Sequence, residues 1–225
     1  MSETAGRVLP VYLVADESRS MTPVVDELNA GLRSLHDALL REPLAAAKVR
    51  FSILGFSDDV IVHSALADLR NMPALPQLSV RSGTAYGVAF SLLLDRIPAD
   101  VRALKREGFA VHRPAVFFLS DGQPTDPGQW EDPYDQLTDR ERNPTAPNVI
   151  ACGIGEARAE TILRVASRPE FAFVSTPGVE VGLAIAEFCT ALTRSVIKSG
   201  QAVGSDDAEL VVERPDSFRM AVDVV

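Results

Sequence analysis

The sequence has few of the features that mark several large classes of protein. It contains two cysteines in 225 residues, Cys152 and Cys189, and neither belongs to a Cys-x-x-Cys pair, which argues against a structural zinc site or a disulfide framework. No apolar run approaches the ~20 residues that a membrane-spanning helix requires. The first residues, MSETAGRV, offer neither a basic nor an apolar stretch, so we expect no secretory signal. Together these features predict a cytoplasmic protein with two buried, reduced thiols.

Positive charge is also scarce. The chain has 22 Lys and Arg residues against 31 Asp and Glu, a formal net charge of −9. Nucleic acids and anionic membranes require a concentrated basic face, so we expect no nucleic-acid partner and no membrane insertion. The basic residues that do occur close together fall in one predicted helix and the segment after it, where a solvent-exposed face explains them. They are Arg96, Arg102, Lys105, Arg106 and Arg113.

Apolar strand patterns alternate with helical patterns along most of the chain. Continuous apolar strands separated by helices are typical of a largely parallel sheet that is covered on both faces. Ser57-Asp58-Asp59 indicates a hairpin, and therefore one antiparallel edge strand. The sequence thus predicts a doubly wound, mostly parallel α/β fold. Its strands are predicted at 8–15, 48–56, 60–65, 115–120, 149–155 and 171–175, and its helices at 22–41, 85–107, 157–167 and 179–198.

The end of the chain departs from this alternation. Residues 199–208 begin with Gly, Ser and Asp, which is typical of a linker. The segments ELVVE (209–213) and FRMAVDVV (218–225) are apolar enough to form strands, either docked on the domain or added to a partner's sheet. We therefore divide the chain into a domain over 1–198 and a C-terminal extension over 199–225, with docking preferred.

Oxygen-bearing side chains follow several of the predicted strands or precede helices. Asp16, Ser18 and Ser20 come after the first strand, Thr84 precedes a helix in SGTAYG, and Asp121 follows the strand AVFFLS. Ligands of doubly wound folds bind beyond the carboxyl ends of the strands. Ser, Thr and Asp are also common helix caps, so each residue taken alone is explained as well by capping.

The combination resembles a known site. Asp-x-Ser-x-Ser, a Thr in a Gly-Thr turn and an Asp in Ser-Asp-Gly together resemble the metal-ion-dependent adhesion site of von Willebrand factor type A domains, over residues 8 to about 196. The resemblance implies that Asp16, Ser18, Ser20, Thr84 and Asp121 hold a metal ion and that a partner's Glu or Asp completes its coordination. SDGQPTD (120–126) is similar to the intracellular bacterial branch associated with tellurium resistance. That branch implies a role in a stress-response complex beside a kinase and a phosphatase.

The residue chemistry supports a metal site independently of the resemblance. Mg²⁺ prefers oxygen ligands and keeps some of its waters, and Mn²⁺ could substitute for it. Hydroxyls from Ser18, Ser20 and Thr84 are neutral, so they would position the ion without cancelling its charge. Asp16 and Asp121 would compensate that charge. The two-residue spacing lets Ser18 and Ser20 point the same way, with Glu17 pointing elsewhere.

Enzymatic alternatives fit less well. A haloacid-dehalogenase-type phosphatase needs a second Asp at the position of Ser18, a receiver domain needs a Lys after VIACGIG, and the P-loop pattern is absent. His36, His63 and His112 fall away from the predicted strand-end site and suggest no catalytic base. We therefore predict a protein that is not an enzyme. A flavodoxin-like or phosphatase-like phosphate-handling enzyme that uses the same loops stays open, as does a purely structural domain in which the oxygens are caps.

Three aromatic residues flank the predicted metal site. Trp130 and Tyr134 lie in the segment that leaves Asp121, and Tyr86 follows Thr84 by two residues. Aromatic side chains concentrate binding energy in interfaces, so we predict that these three contact the partner. The alternative is that they pack this segment onto the domain.

Overall fold

The computed structural model describes residues 6–203 and 209–224. Within them, eight strands form one sheet and six α-helices accompany it. The strands are β1 (Arg7–Asp16), β2 (Val49–Phe56), β3 (Val60–Ala67), β4 (Ala110–Val111), β5 (Ala115–Ser120), β6 (Asn148–Gly153), β7 (Ala172–Ser175) and β8 (Phe218–Met220). The helices are α1 (Val25–Leu40), α2 (Pro43–Lys48), α3 (Tyr86–Arg106), α4 (Glu131–Thr138), α5 (Ala159–Val165) and α6 (Val181–Ala202).

The sheet has the order β3-β2-β1-β5-β6-β7-β8, with the short β4 beside the start of β1. β1 pairs in parallel with β2 on one side and β5 on the other, and β5-β6 and β6-β7 are also parallel. β2 and β3 are antiparallel across the predicted hairpin, where the Ser57 amide donates to the carbonyl of Asp59 at 2.8 Å. The predicted doubly wound, mostly parallel fold is therefore confirmed. It differs in one respect, because β8 pairs antiparallel with β7 and gives the sheet a second antiparallel edge.

Helices cover both faces of the sheet. Every residue of β5 and β6 is buried, and so is every residue of β1 after Arg7. Because successive side chains of a strand point to opposite faces, such complete burial requires cover on both sides. α1 and α6 lie so close that a Cβ added at Gly31 would be 2.3 Å from Cys189 Sγ. Cys152 and Cys189 are both buried and free, as predicted.

The two longest helices differ in how well the sequence predicted their ends. α3 continues through Pro98 to Arg106, as predicted, whereas α6 continues to Ala202, past the predicted boundary between residues 198 and 199. Within the described part of the chain, no helix has the length and apolarity that crossing a bilayer would take.

The described part of the C-terminal extension lies against the domain. Ser199 Oγ accepts from the Val211 amide at 3.0 Å, and Ser195 Oγ accepts from the Glu213 amide at 2.9 Å. ELVVE does not form the strand that its composition suggested, and FRMAVDVV forms one only at Phe218–Met220. The linker predicted over 199–208 is partly replaced by α6, and residues 204–208 lie outside the described residues. The division of the chain at 198 stays a prediction.

Candidate metal centre

The candidate site lies where β1 and β5 end side by side. β1 ends at Asp16, and Asp121 directly follows the last residue of β5. The two strands pair in parallel, so their carboxyl ends share one edge of the sheet. The chain connects from β1 to β2 on one side, while β5 lies on the other side. This is the topological switch point at which open α/β sheets bind ligands.

Hydrogen bonds join the loop after β1 to Asp121. Ser18 Oγ and Ser20 Oγ lie 2.9 Å apart, so the two serines point the same way, and Ser20 Oγ donates to Asp121 Oδ1 at 2.8 Å. Asp16 is fixed from two sides, by the Ser18 amide on Oδ1 at 2.8 Å and by the Ser120 hydroxyl on Oδ2 at 2.6 Å. Ser120 was not among the predicted site residues. Its position at the end of β5, beside the end of β1, was a usable signal for it.

Thr84 reaches the same edge from the segment that precedes α3. A Cβ added at Gly122, the residue after Asp121, would lie 3.9 Å from Thr84 Oγ1. The carbonyl of Thr84 accepts from the Thr125 amide at 3.0 Å, which holds the segment against the turn after β5. The structure thus brings all five predicted oxygen side chains to one edge of the sheet.

The two carboxylates of this edge are buried without a cationic partner. Asp16 is 1% and Asp121 6% exposed, and none of the ion pairs among residues 6–203 and 209–224 involves either of them. Burial raises the pKa of Asp16 to about 6, and the charge of Asp121 adds to that rise, while hydrogen bonds from Ser120 and Ser18 oppose it. Burial likewise raises the pKa of Asp121. A divalent cation would supply the positive charge that this edge lacks.

The donor set fits a hard cation. Among the described residues, no group of three or more His, Cys, Asp or Glu side chains is placed to hold a metal ion. The candidate site differs from such groups because three of its five oxygens are hydroxyls. Ser20 is exposed whereas Asp16, Ser18, Thr84 and Asp121 are buried, so the site opens to solvent on the side of Ser20. Two carboxylates and three hydroxyls with access to water are a suitable set for Mg²⁺ or Mn²⁺.

Glu17 lies inside the candidate metal loop but points away from it. Its side chain is fully buried and accepts from His63 Nε2 at 2.8 Å, the Ser79 amide at 2.9 Å and Arg81 Nε at 2.9 Å. We call Glu17, His63, Ser79 and Arg81 the Glu17 cluster. The absence of a side chain at Gly55 makes room for it, since a Cβ there would lie 2.2 Å from Glu17 Cδ. Sequence reasoning treated His63 as an ordinary packing residue and missed this cluster, whose members are 46 to 64 positions from Glu17.

Further contacts fix the segment that carries Thr84. Ser57 Oγ donates to the carbonyl of Gly83 at 2.9 Å, and Arg81 of the Glu17 cluster lies three residues before Thr84. Asp126 accepts from the amides of Tyr86 at 3.0 Å and Gly87 at 2.7 Å, which are the first two residues of α3. Asp126 therefore caps the helix that begins two residues after Thr84.

The three aromatic residues predicted to contact a partner are buried. Tyr86 is 0%, Trp130 3% and Tyr134 7% exposed, and their rings pack against one another and against Phe90 and Phe118. Ring centroids of Tyr86 and Phe118 are 4.8 Å apart, and those of Phe90 and Tyr134 are 5.0 Å apart. The prediction that they form a binding surface is wrong, because α4 folds back onto α3 and buries them. The Tyr86 hydroxyl donates to the carbonyl of Gly122 at 3.1 Å, so Tyr86 supports the turn beside the site from within.

Comparison with solved structures supports the fold. Similar structures include the pilus adhesin SpaC from Lactobacillus rhamnosus GG, at a TM-score of 0.65 and 14% identity over 86% of this chain and 31% of that one. A von Willebrand factor type A protein from Catenulispora acidiphila matches with a TM-score of 0.58 and 14% identity over 86% of this chain and 43% of that one. Proximal thread matrix protein 1 from the mussel byssus, with a zinc-occupied MIDAS motif, matches with a TM-score of 0.55. Its identity is 18% over 86% of this chain and 46% of that one.

These similarities define a fold class. The chain has the α/β fold of von Willebrand factor type A domains, and it spans less than half the length of each of these three structures. No protein-family model and no curated protein matches the sequence.

Proposed function

We propose that this chain is a metal-dependent protein-interaction module. It binds a divalent cation through Asp16, Ser18, Ser20, Thr84 and Asp121, and the cation engages a Glu or Asp of a protein partner. One observation carries the proposal: two buried carboxylates without a cationic partner face three hydroxyls at the switch point of the sheet. The zinc-occupied MIDAS motif of the mussel protein supports it by analogy of fold.

The physiological metal in this proposal is Mg²⁺, for which Mn²⁺ can substitute. Asp16 and Asp121 would balance the two positive charges, and neutral hydroxyls would leave enough charge on the ion to attract a further carboxylate. Ser20 marks the side from which the partner reaches the site, because it is the exposed member of the set. The net charge of −9 opposes an acidic partner at long range. Salt screens that repulsion beyond a Debye length of about 8 Å, so the local cation determines the contact.

We propose that the module binds without catalysing a reaction. A phosphate-handling site would have to place an anion beside Asp16 and Asp121, whose buried negative charges would repel it. His63, the histidine in contact with Glu17, is held within the Glu17 cluster and is not directed at the metal-site residues. Both observations support a binding module over the phosphate-handling alternative.

The biological setting is part of the same proposal. The similarity of SDGQPTD to the tellurium-resistance branch supports a role in a bacterial stress-response complex, with a kinase or phosphatase as a partner class. Two buried, free thiols support a cytoplasmic location. We propose no nucleic-acid partner, in keeping with the acidic charge.

Metal-dependent stability tests the metal site. Thermal unfolding would be followed in EDTA, in millimolar Mg²⁺ and in millimolar Mn²⁺. A site of ~10 μM affinity should stabilise the native state by about 2–3 kcal/mol at millimolar metal. Asp16→Ala and Thr84→Ala should abolish this rise, whereas Asp37→Ala and Ser34→Ala, at exposed positions of α1, should retain it. A rise that persists in Asp16→Ala would place the metal elsewhere.

Partner capture tests the interaction. The immobilised chain would be exposed to a cell extract in Mg²⁺ and in EDTA, beside immobilised Asp16→Ala. We expect a protein retained only by the wild type and only in Mg²⁺, and we expect one Glu or Asp of that protein to be essential for retention. Capture that is equal in EDTA would contradict a metal-bridged contact.

A further inference from the structure

A second polar cavity lies at the opposite edge of the sheet from the candidate metal centre. It has a volume of about 220 Å³ and is lined by residues near the amino ends of the strands, among them Leu9 of β1 and Asn148 of β6. Leu9 and Asp16 are seven positions apart in β1, a rise of roughly 23 Å at about 3.3 Å per residue. The two edges are therefore distinct sites.

Basic side chains surround this cavity. Arg113, Arg140 and Arg168 line it together with His112, and Glu209 also lines it. We call these five residues and the space between them the basic cavity. Three guanidinium groups around one small cavity are unusual in a chain with a net charge of −9. The sequence pattern grouped only Arg113 with other basic residues, because the three arginines come from separate loops.

Two arginines of the basic cavity form no ion pair among the described residues, although Glu209 lines the same cavity. Arg113 donates to the carbonyl of Ala146 at 2.6 Å, and Arg140 donates to the side-chain oxygen of Asn148 at 2.8 Å. Both acceptors are neutral, so they orient the guanidinium groups and leave their charge available. No ion pair within residues 6–203 and 209–224 includes either arginine. Arg168 is paired loosely, with Glu170 at 3.7 Å.

Two further observations favour an anionic ligand. His112 Nε2 is buried and has no hydrogen-bond partner among the described residues, although buried nitrogens are normally paired. Burial lowers the pKa of Arg140, and the neighbouring charges of Arg113 and Arg168 lower it further, so the three arginines repel one another. An anion between them would relieve this repulsion, and it would accept a hydrogen bond from His112 in the tautomer that carries the proton on Nε2.

We propose that the basic cavity is a binding site for a phosphate group, either free phosphate or a phosphomonoester. Guanidinium groups bind phosphate oxygens through paired N–H donors, and several of them can share one tetrahedral dianion. A cavity of about 220 Å³ has room for a phosphate group. The proposed site is separate from the metal centre. Its ligand is an anion, whereas the ligand of the metal centre is a cation.

Calorimetric titration with inorganic phosphate tests the proposal. The whole chain would be titrated in EDTA at constant ionic strength, because metal at the other edge could also hold phosphate. We expect Arg140→Gln and Arg168→Gln to weaken binding about tenfold each, as loss of one charge-assisted contact requires. Arg142→Gln is the matched control, since its side chain is 91% exposed and outside the basic cavity. Asp121→Asn should bind phosphate as the wild type does.

The source of the phosphate group is tested by a second titration. N-acetyl-O-phosphoserine amide would be compared with inorganic phosphate and with N-acetylserine amide. Tighter binding of the phosphoserine compound would indicate a phosphorylated side chain as ligand, and equal or weaker binding would indicate free phosphate; both require the unphosphorylated amide not to bind. Circular dichroism would verify that each variant is folded. Arg168→Gln removes side-chain contacts with Glu170 and Phe171.

Two results would overturn the proposal. The first is no phosphate binding by the wild type. The second is wild-type affinity in both Arg140→Gln and Arg168→Gln.

Discussion

Asp16 and Glu17 are adjacent carboxylates in one loop, and their surroundings are opposite in kind. Asp16 contacts hydroxyls and one amide and has another carboxylate, Asp121, nearby. Glu17 contacts His63 and Arg81 and the amide of Ser79. Both side chains are buried, at 1% and 0% exposure, so burial alone does not distinguish them.

The difference shows which of the two carboxylates has a structural role. Burial acts to raise the pKa of Glu17, but the hydrogen bonds and charges of its partners hold that pKa below its usual value. At Asp16 burial prevails and the pKa rises to about 6. A compensated buried carboxylate stabilises the fold, whereas an uncompensated one reduces stability until a cation binds. The loop therefore presents its unbalanced charge to the candidate metal site and its balanced charge to the domain.

The largest expected effect on stability is that of replacing Glu17, the carboxylate whose charge is compensated. Glu17→Ala would remove the buried partner of Arg81, which would keep only the exposed Asp59 and the Gly55 carbonyl, and would leave the Ser79 amide without an acceptor. Breaking a buried ion pair in this way costs about 3–5 kcal/mol. We expect urea denaturation to show a decrease of this size in the free energy of unfolding. Asp37→Ala, which removes an exposed carboxylate, should change it by less than about 0.5 kcal/mol. Equal effects of the two substitutions would show that the Glu17 cluster contributes nothing to stability.

The stability contribution of Glu17 also has a defined dependence on pH. Because its folded pKa is lowered, the contribution is present above the unfolded value of 4.5 and is lost as pH falls through the folded pKa. This direction is opposite to the one expected for Asp16.

The second prediction is that Asp16→Asn makes the metal-free protein more stable at neutral pH. The pKa of Asp16 rises from 3.8 to about 6 on folding, so the native state loses stability as pH increases from about 4 to about 6. Removing this charge should return up to about 3 kcal/mol, the equivalent of two pKa units. The variant should also lose the stabilisation by metal. Unfolding in EDTA between pH 4 and 7.5 measures the first effect, and unfolding in millimolar Mg²⁺ measures the second. A variant less stable in EDTA than the wild type at every pH would contradict the prediction.

The third prediction concerns metal affinity and pH. Metal binding requires ionised carboxylates, so protons compete with the metal at Asp16. Above pH 6 the affinity for Mn²⁺ should change little, and below pH 6 it should fall by about tenfold per pH unit as one proton is taken up. Titration with Mn²⁺ between pH 5 and 8 measures this. A pH-independent affinity would exclude Asp16 from the metal site.

Most of the fold and the gathering of the site residues were predictable from local sequence patterns. Apolar strands alternate with amphipathic helices, and parallel strands place their carboxyl ends together, so Asp16 and Asp121 had to lie at one edge. Boundaries were less predictable. α6 passes through Ser199 to Ala202, because packing against neighbouring elements outweighs local signals that favour ending a helix.

The Glu17 cluster and the basic cavity were not predictable. Each joins side chains that are distant in sequence, and which loops meet depends on strand register and loop path. The aromatic residues show the same limit. The sequence of an aromatic residue in a loop is the same whether its side chain faces solvent or the core. Trp130 is buried because α4 packs onto α3.

The smallest expected effect is at a third carboxylate, which is compensated by dipoles and not by charges. Asp126 accepts from the amides of Tyr86 and Gly87 at the start of α3, and loss of a helix cap costs about 0.5–2 kcal/mol. Asp126→Ala should therefore destabilise the protein by about 1 kcal/mol, less than Glu17→Ala, because no buried cation is left unpaired. Asp95→Ala, on the exposed side of the same helix, is the control for helix propensity. Since this helix begins two residues after Thr84, Asp126→Ala should also weaken Mn²⁺ binding more than Asp95→Ala does. Equal metal affinity in the two variants would show that the cap stabilises α3 without positioning Thr84.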